Sequence, residues 1–188
     1  MTIETIISIC LGIGLSASVG FRIFLPLFAL SLASYFDVWQ LNESWQWIGS
    51  SAALITLTVA TIIEIFAYFI PYIDNLLDTI SVPLAALAGT AIMLSVVADL
   101  SPVITWSLAI IAGGGTAASI SSTSSATRLA STVTTGGVGN PIVSTIETGT
   151  SLVMSIVSIF LPILAIILVI IILFIIFRVY KKFKAPKT

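Results

Sequence analysis

The chain has no histidine and one cysteine, Cys10, in 188 residues. Without imidazole, a serine–histidine–aspartate triad, the usual zinc ligand sets and His-ligated haem are all excluded. A lone cysteine excludes an intrachain disulfide and a cysteine metal cluster. Charge is also scarce, with 8% charged residues against 58% hydrophobic ones and a mean hydropathy of +1.19. Soluble domains carry roughly a quarter charged residues, so a soluble domain is excluded. Basic residues number 7, and Arg178, Lys181, Lys182, Lys184 and Lys187 all fall in residues 178–188.

In place of charge there is long apolar sequence. About 20 apolar residues in a helix cross the roughly 30 Å hydrocarbon layer, and several stretches are long enough. The pattern predicts an all-α, polytopic transmembrane helical bundle with interrupted helices. Residues 1–177 form one transmembrane domain of about five or six helical segments, and residues 178–188 a basic tail. The positive-inside rule places that tail on the cytoplasmic side. The first twenty residues lack a basic n-region and run into further apolar sequence, which predicts a first membrane helix, not a cleaved signal peptide.

Residues 3–36 are too long for one upright span, and their middle, GIGLSASVG at 12–20, is built from small residues ahead of Arg22 and Pro26. This predicts a helix, a break, then a second helix or re-entrant arm. Trp39, Trp45 and Trp47 surround a polar link, as at a membrane surface. Spans are expected over 47–70, 76–98 and from 103 through the glycines 113–115, with a short acidic turn at 72–75 and a tight turn at Asp99, Ser101 and Pro102. Residues 116–135, almost all small or hydroxylated, are expected to be buried among helices or to line a wet cavity. After the loop signal GGVGNP, a helical pattern of some forty residues needs a kink at Pro162, a tilt or a partly buried first half. The strings Ser16-x-Ser18-x-x-x-Arg22 and Ser122-x-Ser124-x-x-x-Arg128 share a spacing. If they lie three spans apart they run in opposite directions, as in an inverted repeat.

Ions in hydrocarbon cost at least about 2.5–3.5 kcal/mol, so each intramembrane charge marks a candidate site. Glu64 lies six residues inside the end of an apolar helix and is expected to pair with Arg22 or Arg128, or to bind an ion or proton. Asp74 and Asp78 are a turn apart and share a face, as cap and dipole partners or as part of a cation or proton site. Glu147, among hydroxyls, has Arg128 as its natural partner. Glycine stripes are expected to let helices approach closely.

Three sets of strings, GLSASVGFRIFLPLFALSLAS, IPYIDNLLD with VPLAALAG, and SSATRLAS with GGVGNPIVSTIE, resemble the recurring blocks of the bacterial integral membrane family called domain of unknown function 4126. The likeness covers roughly residues 10–160. It implies that Pro71, Asp74, Asp78, Arg128, Asn140, Pro141 and Glu147 occupy the family's motif positions. Tyr68, Phe69, Val82 and Thr148 stand where that family often carries charge.

The resulting expectation is a non-enzymatic, oligomeric membrane protein that moves a small ion or polar solute, with Arg22, Glu64, Asp74, Asp78, Arg128, Asn140 and Glu147 as substrate- or ion-binding residues. Broken helices at 16–20 and 136–141 would offer backbone groups to the substrate. Membrane lipids and further copies of the chain are its expected partners; no nucleic acid and no cofactor are expected. The rival reading is a scaffold or lipid-interacting protein whose buried charges only lock helix packing.

Overall fold

The computed structural model describes residues 2–97 and 100–184. Asp99 and residues 185–188, with Lys187, lie outside the described residues. Within them the chain is helical with no strand. Helix α1 (Ile3–Val19) starts at Thr2, whose hydroxyl accepts the Thr5 N–H at 3.2 Å. Helix α2 (Phe24–Tyr35) follows after a break of four residues. A 3₁₀ segment, Glu43–Gly49, then meets α3 (Ser51–Ala67) at a bend of 62°. Ser50 caps α3 by accepting from the Ala53 N–H at 3.2 Å. Helices α4 (Pro71–Val96), α5 (Pro102–Leu108), α6 (Gly115–Thr135), α7 (Asn140–Phe160) and α8 (Pro162–Lys184) complete the chain. Prolines at the first turns of α4, α5 and α7 sit where a missing N–H leaves no bond unmade.

A π-helical turn, Ala109–Gly114, joins α5 to α6, so residues 102–135 form one continuous 34-residue run. The span expected to pass through the glycines does so. The reason is local: the wider turn absorbs the glycines without ending the helix. Gly113 packs directly on Gly89 of α4, where an added Cβ at position 89 would meet the Gly113 carbonyl oxygen at 2.8 Å. Small residues here set how closely the two helices approach, as expected.

The register of contacts fixes the directions. Gly12 faces Met93 and Val96, Ser16 donates to the Gly89 carbonyl at 3.0 Å, and Gly20 faces Ala117 and Ile120. Hence α1 runs antiparallel to α4 and parallel to α6. Its other side meets α7, where Ser18 donates to the Ser151 carbonyl at 2.7 Å, and α8, where Gly14 faces Ala165. Helix α2 then turns back, with Ser31 donating to the Ile48 carbonyl at 2.6 Å. Together α1 and α2 form a re-entrant hairpin that enters and leaves on one face, its tip at residues 20–23. The break was expected within 12–20, but residues 12–19 are helical and serve as the packing surface, and the break begins at Gly20.

Four described helices are long and apolar enough to cross a membrane, and the bent pair ending in α3 makes up to five. Counted as five spans, with the hairpin not crossing, they leave the start of α1 and the end of α8 on opposite faces. The forty-residue pattern expected to kink at Pro162 instead reverses at Leu161 (φ −137°, ψ 62°), giving two antiparallel spans, α7 and α8. The glycines after α6 turn left-handed, with φ of 64° at Gly136 and 89° at Gly137, which only glycine adopts freely. Residues 72–75, expected as a turn, belong to the first turns of α4.

Candidate functional site

At the tip of the hairpin, α1 ends inside the bundle and leaves the α2 amino terminus without a local cap. Glu64, from α3, supplies it: its Oε1 accepts the Ile23 N–H at 2.7 Å and its Oε2 the Phe24 N–H at 2.9 Å. The carboxylate thus takes two of the orphan donors of a helix amino terminus. The expected pairing of Glu64 with an arginine is corrected accordingly, and so is the expectation of free backbone donors at this break. Among the described residues, no arginine nitrogen lies within ion-pair reach of Glu64.

Arg22 sits at the tip with 1% of its surface exposed. Its Nε donates to Thr148 Oγ1 at 2.9 Å, and its Nη2 donates to the Ser144 carbonyl at 2.9 Å and to the Ser144 hydroxyl. Glu147 Oε2 lies 3.8 Å away. Nη1 of the same guanidinium is buried without an acceptor. Because Ser144 and Thr148 lie one to two turns into α7, the tip stands about 6–12 Å from the end of that helix at 1.5 Å per residue. The charge is well inside the span.

Arg128, on α6, is the hub. Its Nη2 donates to Glu147 Oε2, its Nε donates to Glu147 Oε1 at 3.3 Å, and its Nη1 reaches Asp74 Oδ1 and Asp78 Oδ1, each at 3.2 Å. The early start of α4 at Pro71 puts those two aspartates a turn apart on one face, as expected. Ser124 donates to Glu147 Oε1, the oxygen that also accepts from Arg128 Nε. Asn140 donates to Asp74 Oδ2 at 2.7 Å and to Thr132 Oγ1 at 2.9 Å, while its own Oδ1 is buried with no donor. The amide orientation follows from Asp74, since only the NH₂ side can face a carboxylate.

Six of the seven candidate residues therefore form one chain of contacts, Arg22 to Glu147 to Arg128 to Asp74 and Asp78, then Asn140. Glu64 stands beside it, lining a common cavity with Asp78 and Arg128. Tyr68 is the residue that sequence reasoning missed. Its ring lies between the two guanidiniums, with Arg22 Cζ 4.0 Å and Arg128 Cζ 3.8 Å from its centroid. Tyr68 caps the carboxyl end of α3, and the sequence set it apart only as a neutral residue where the family often carries charge.

Four carboxylates against two guanidiniums give the region a formal excess of two negative charges. The shared cavity, lined also by Ser81, Ser121, Ser124 and Ser125, holds about 10 Å³ of water-centre volume, close to the minimum for one water molecule. Two apolar clefts reach the region from its flanks. One of about 310 Å³ ends on Glu147 between α6, α7 and α8, and one of about 290 Å³ ends on Glu64 between α2, α3 and α4.

Residues 116–135 were expected to be buried or to face a wet cavity. Only Ala117, Ile120, Ser121 and Arg128 of α6 are fully buried. Outward hydroxyls such as Ser122 and Thr127 instead donate to carbonyls four residues back, at 2.7 and 2.9 Å. That internal bonding lets a hydroxylated face stand outward in a helix.

The two Ser-x-Ser-x-x-x-Arg strings run in the same direction, since α1 and α6 are parallel, and one arginine follows a break while the other lies in continuous helix. They do not form an inverted pair. No curated protein and no solved structure matches the chain. The family model described as Domain of unknown function (DUF4126) matches residues 9–182, which takes in the hairpin from the second half of α1, the arginine hub and all seven candidate residues, and the chain belongs to that family.

Proposed function

We propose that this protein is a small, non-enzymatic transporter or channel through which a small ion or polar solute moves by way of the charged interior. The observation that carries the reading is the excess of two carboxylates over guanidiniums beside a helix that stops inside the bundle. Ion pairs that only lock packing balance their charges, because an uncompensated buried charge is strongly destabilising. An interior with spare negative charge is suited to a positively charged visitor. In this reading Arg128 holds Asp74, Asp78 and Glu147 in place, Arg22 anchors the hairpin tip to α7, and Asn140 positions Asp74. The basic end of α8 faces the cytoplasm of a bacterial inner membrane, and the chain works as a homo-oligomer among membrane lipids.

A scaffold or lipid-interacting role is the second reading, and the two apolar clefts favour it. Each is open enough for an acyl chain and ends on a carboxylate that already has partners within the fold.

The test is flux of ions and protons into proteoliposomes, comparing the wild type with a Glu147→Gln variant shown to be folded. Flux in the wild type that falls at least about tenfold in the variant, about 1.4 kcal/mol in barrier terms, supports transport. Wild-type flux equal to that of empty liposomes for every species tested supports the scaffold.

A further inference from the structure

On the face where α1 starts and α2 and α4 end, the loop at residues 36–43 is held in a fixed shape. The Asn42 side chain donates to the Leu94 and Val97 carbonyls at 2.7 and 2.8 Å, and the Val38 N–H closes on the Ala33 carbonyl at 2.8 Å. Asp37 completes the turn in the left-handed region, with φ 55°. Glycine is the usual residue at such a helix end, because it has no Cβ to clash. An aspartate stands instead at a position its backbone resists. Its carboxylate has no hydrogen bond or ion pair among the described residues.

Asp37 lines a polar pocket of about 420 Å³ together with Ser34, Trp39, Gln40, Gln46 and Gly49. The side chains of Ser34, Gln40 and Gln46 are likewise without partners among the described residues. Gly49 lets the 3₁₀ segment close onto α2, since an added Cβ would strike the Ser34 hydroxyl. An apolar cleft of about 510 Å³ is lined by Leu27, Trp45, Trp47, Ile48, Leu57 and Ala91. With three residues per turn, the 3₁₀ segment puts Gln46 and Gly49 on one side and Trp45 and Ile48 on another, and so it walls both spaces. Trp45 and Trp47 stack with ring centroids 6.4 Å apart. The three tryptophans mark headgroup level, whereas Leu27, Leu57 and Ala91 stand farther along α2, α3 and α4 toward the bilayer interior. A polar pocket at headgroup depth thus shares a wall with an apolar groove at chain depth.

Charge at this face selects the headgroup. Glu4, Asp37 and Glu43 stand here. Among the described residues no lysine or arginine does, because Arg22 and Arg128 are inside the bundle and the basic end of α8 is at the opposite face. A net anionic headgroup is repelled. A primary ammonium suits the Asp37 carboxylate and the Trp39 ring, and the NH₂ groups of Gln40 and Gln46 suit the acceptor oxygens of a phosphate. A quaternary ammonium has no N–H to donate and is held by a cage of rings, where this pocket offers one. We propose that this face binds one phospholipid with a zwitterionic, primary-ammonium headgroup, the headgroup in the pocket of Asp37 and a chain in the cleft of Trp45 and Trp47. The site lies apart from the charged interior and depends on neither a transport nor a scaffold role.

The test is native mass spectrometry of the full chain in detergent, titrated with phosphatidylethanolamine, phosphatidylcholine or phosphatidylglycerol of identical acyl chains. One saturable adduct per chain is expected with the ethanolamine lipid, at least about tenfold tighter than with the other two. Asp37→Gly suits the left-handed backbone and so guards against loss of fold. It is expected to abolish the preference without lowering the melting point. Ala52→Phe, at an exposed position on the cleft wall, is expected to weaken the ethanolamine lipid severalfold. Equal binding of the three lipids by the wild type overturns the proposal, and so does a preference that survives Asp37→Gly or binding untouched by Ala52→Phe. Displacement by glycerophosphoethanolamine as effective as by the intact lipid also overturns it, since the pocket would then serve a soluble amine.

Discussion

Tyr68 has an unusual position, pressed between two arginines that themselves answer to carboxylates. Cation–π contacts contribute about 0.5–2 kcal/mol each, more when desolvated. Tyr68→Leu is therefore expected to lower stability by about 1–4 kcal/mol, whereas Tyr68→Phe keeps the ring and most of the stability, as a detergent melt of both variants will show. Arg128 bears more. Arg128→Gln leaves three carboxylates without their cation, and about 3–5 kcal/mol of destabilisation is expected. Glu147→Gln alone is milder, because the amide oxygen still accepts from Ser124 and Arg128 Nε, although its NH₂ then faces the Arg128 Nη2 donor. At this scale the acidic and basic members were legible, since hydrocarbon makes every charge conspicuous. The neutral members were legible at most as positions, Tyr68 and Thr148 where the family often carries charge and Ser124 in a shared spacing, and not as partners, because hydroxyls and rings are common in membrane helices and only their placement makes them so. Glu64 was legible as buried but not as a cap, since its two donors belong to a distant turn of backbone.

Glycines and prolines revealed the breaks between elements without giving their kind. Gly20 to Ile23 is a true reversal, Gly113 to Gly115 a wide turn within continuous helix, and Pro162 the start of a new span. The three share helix-breaking composition, and neighbouring helices decide among them. Where Gly113 meets Gly89, a Gly89→Val change is expected to cost about 1–3 kcal/mol by overpacking, with α4 and α6 pushed apart, detectable as a lower melting point. The hairpin depends on Glu64 in a way its composition does not show. Glu64→Gln presents an NH₂ group to one of two backbone N–H donors, with about 1–3 kcal/mol lost. Hydrogen exchange at Ile23 and Phe24 is expected to rise in that variant while exchange in α7 stays unchanged.

For the whole molecule, a hairpin plus five spans, with the bent pair counted as one, puts the start of α1 and the end of α8 on opposite sides. A single cysteine introduced at Val138 is expected to be labelled from the same side as the carboxyl terminus, and one at Gln40 from the other, in a Cys10→Ser background. Labelling of both from one side would require a different number of crossings. Membrane character was legible from composition alone. The direction of each helix was not, because period and length carry no sign, and the shared Ser-x-Ser spacing pointed to an antiparallel pair that the contacts make parallel. The most direct test of a charged interior that conducts is flux through the double variant Arg128→Gln with Glu147→Gln, which removes the hub and one of its three carboxylates and leaves Asp74 and Asp78 without their cation. With the fold confirmed by melting, flux present in the wild type and absent in the double variant is the predicted result, and undiminished flux in the folded double variant would contradict it.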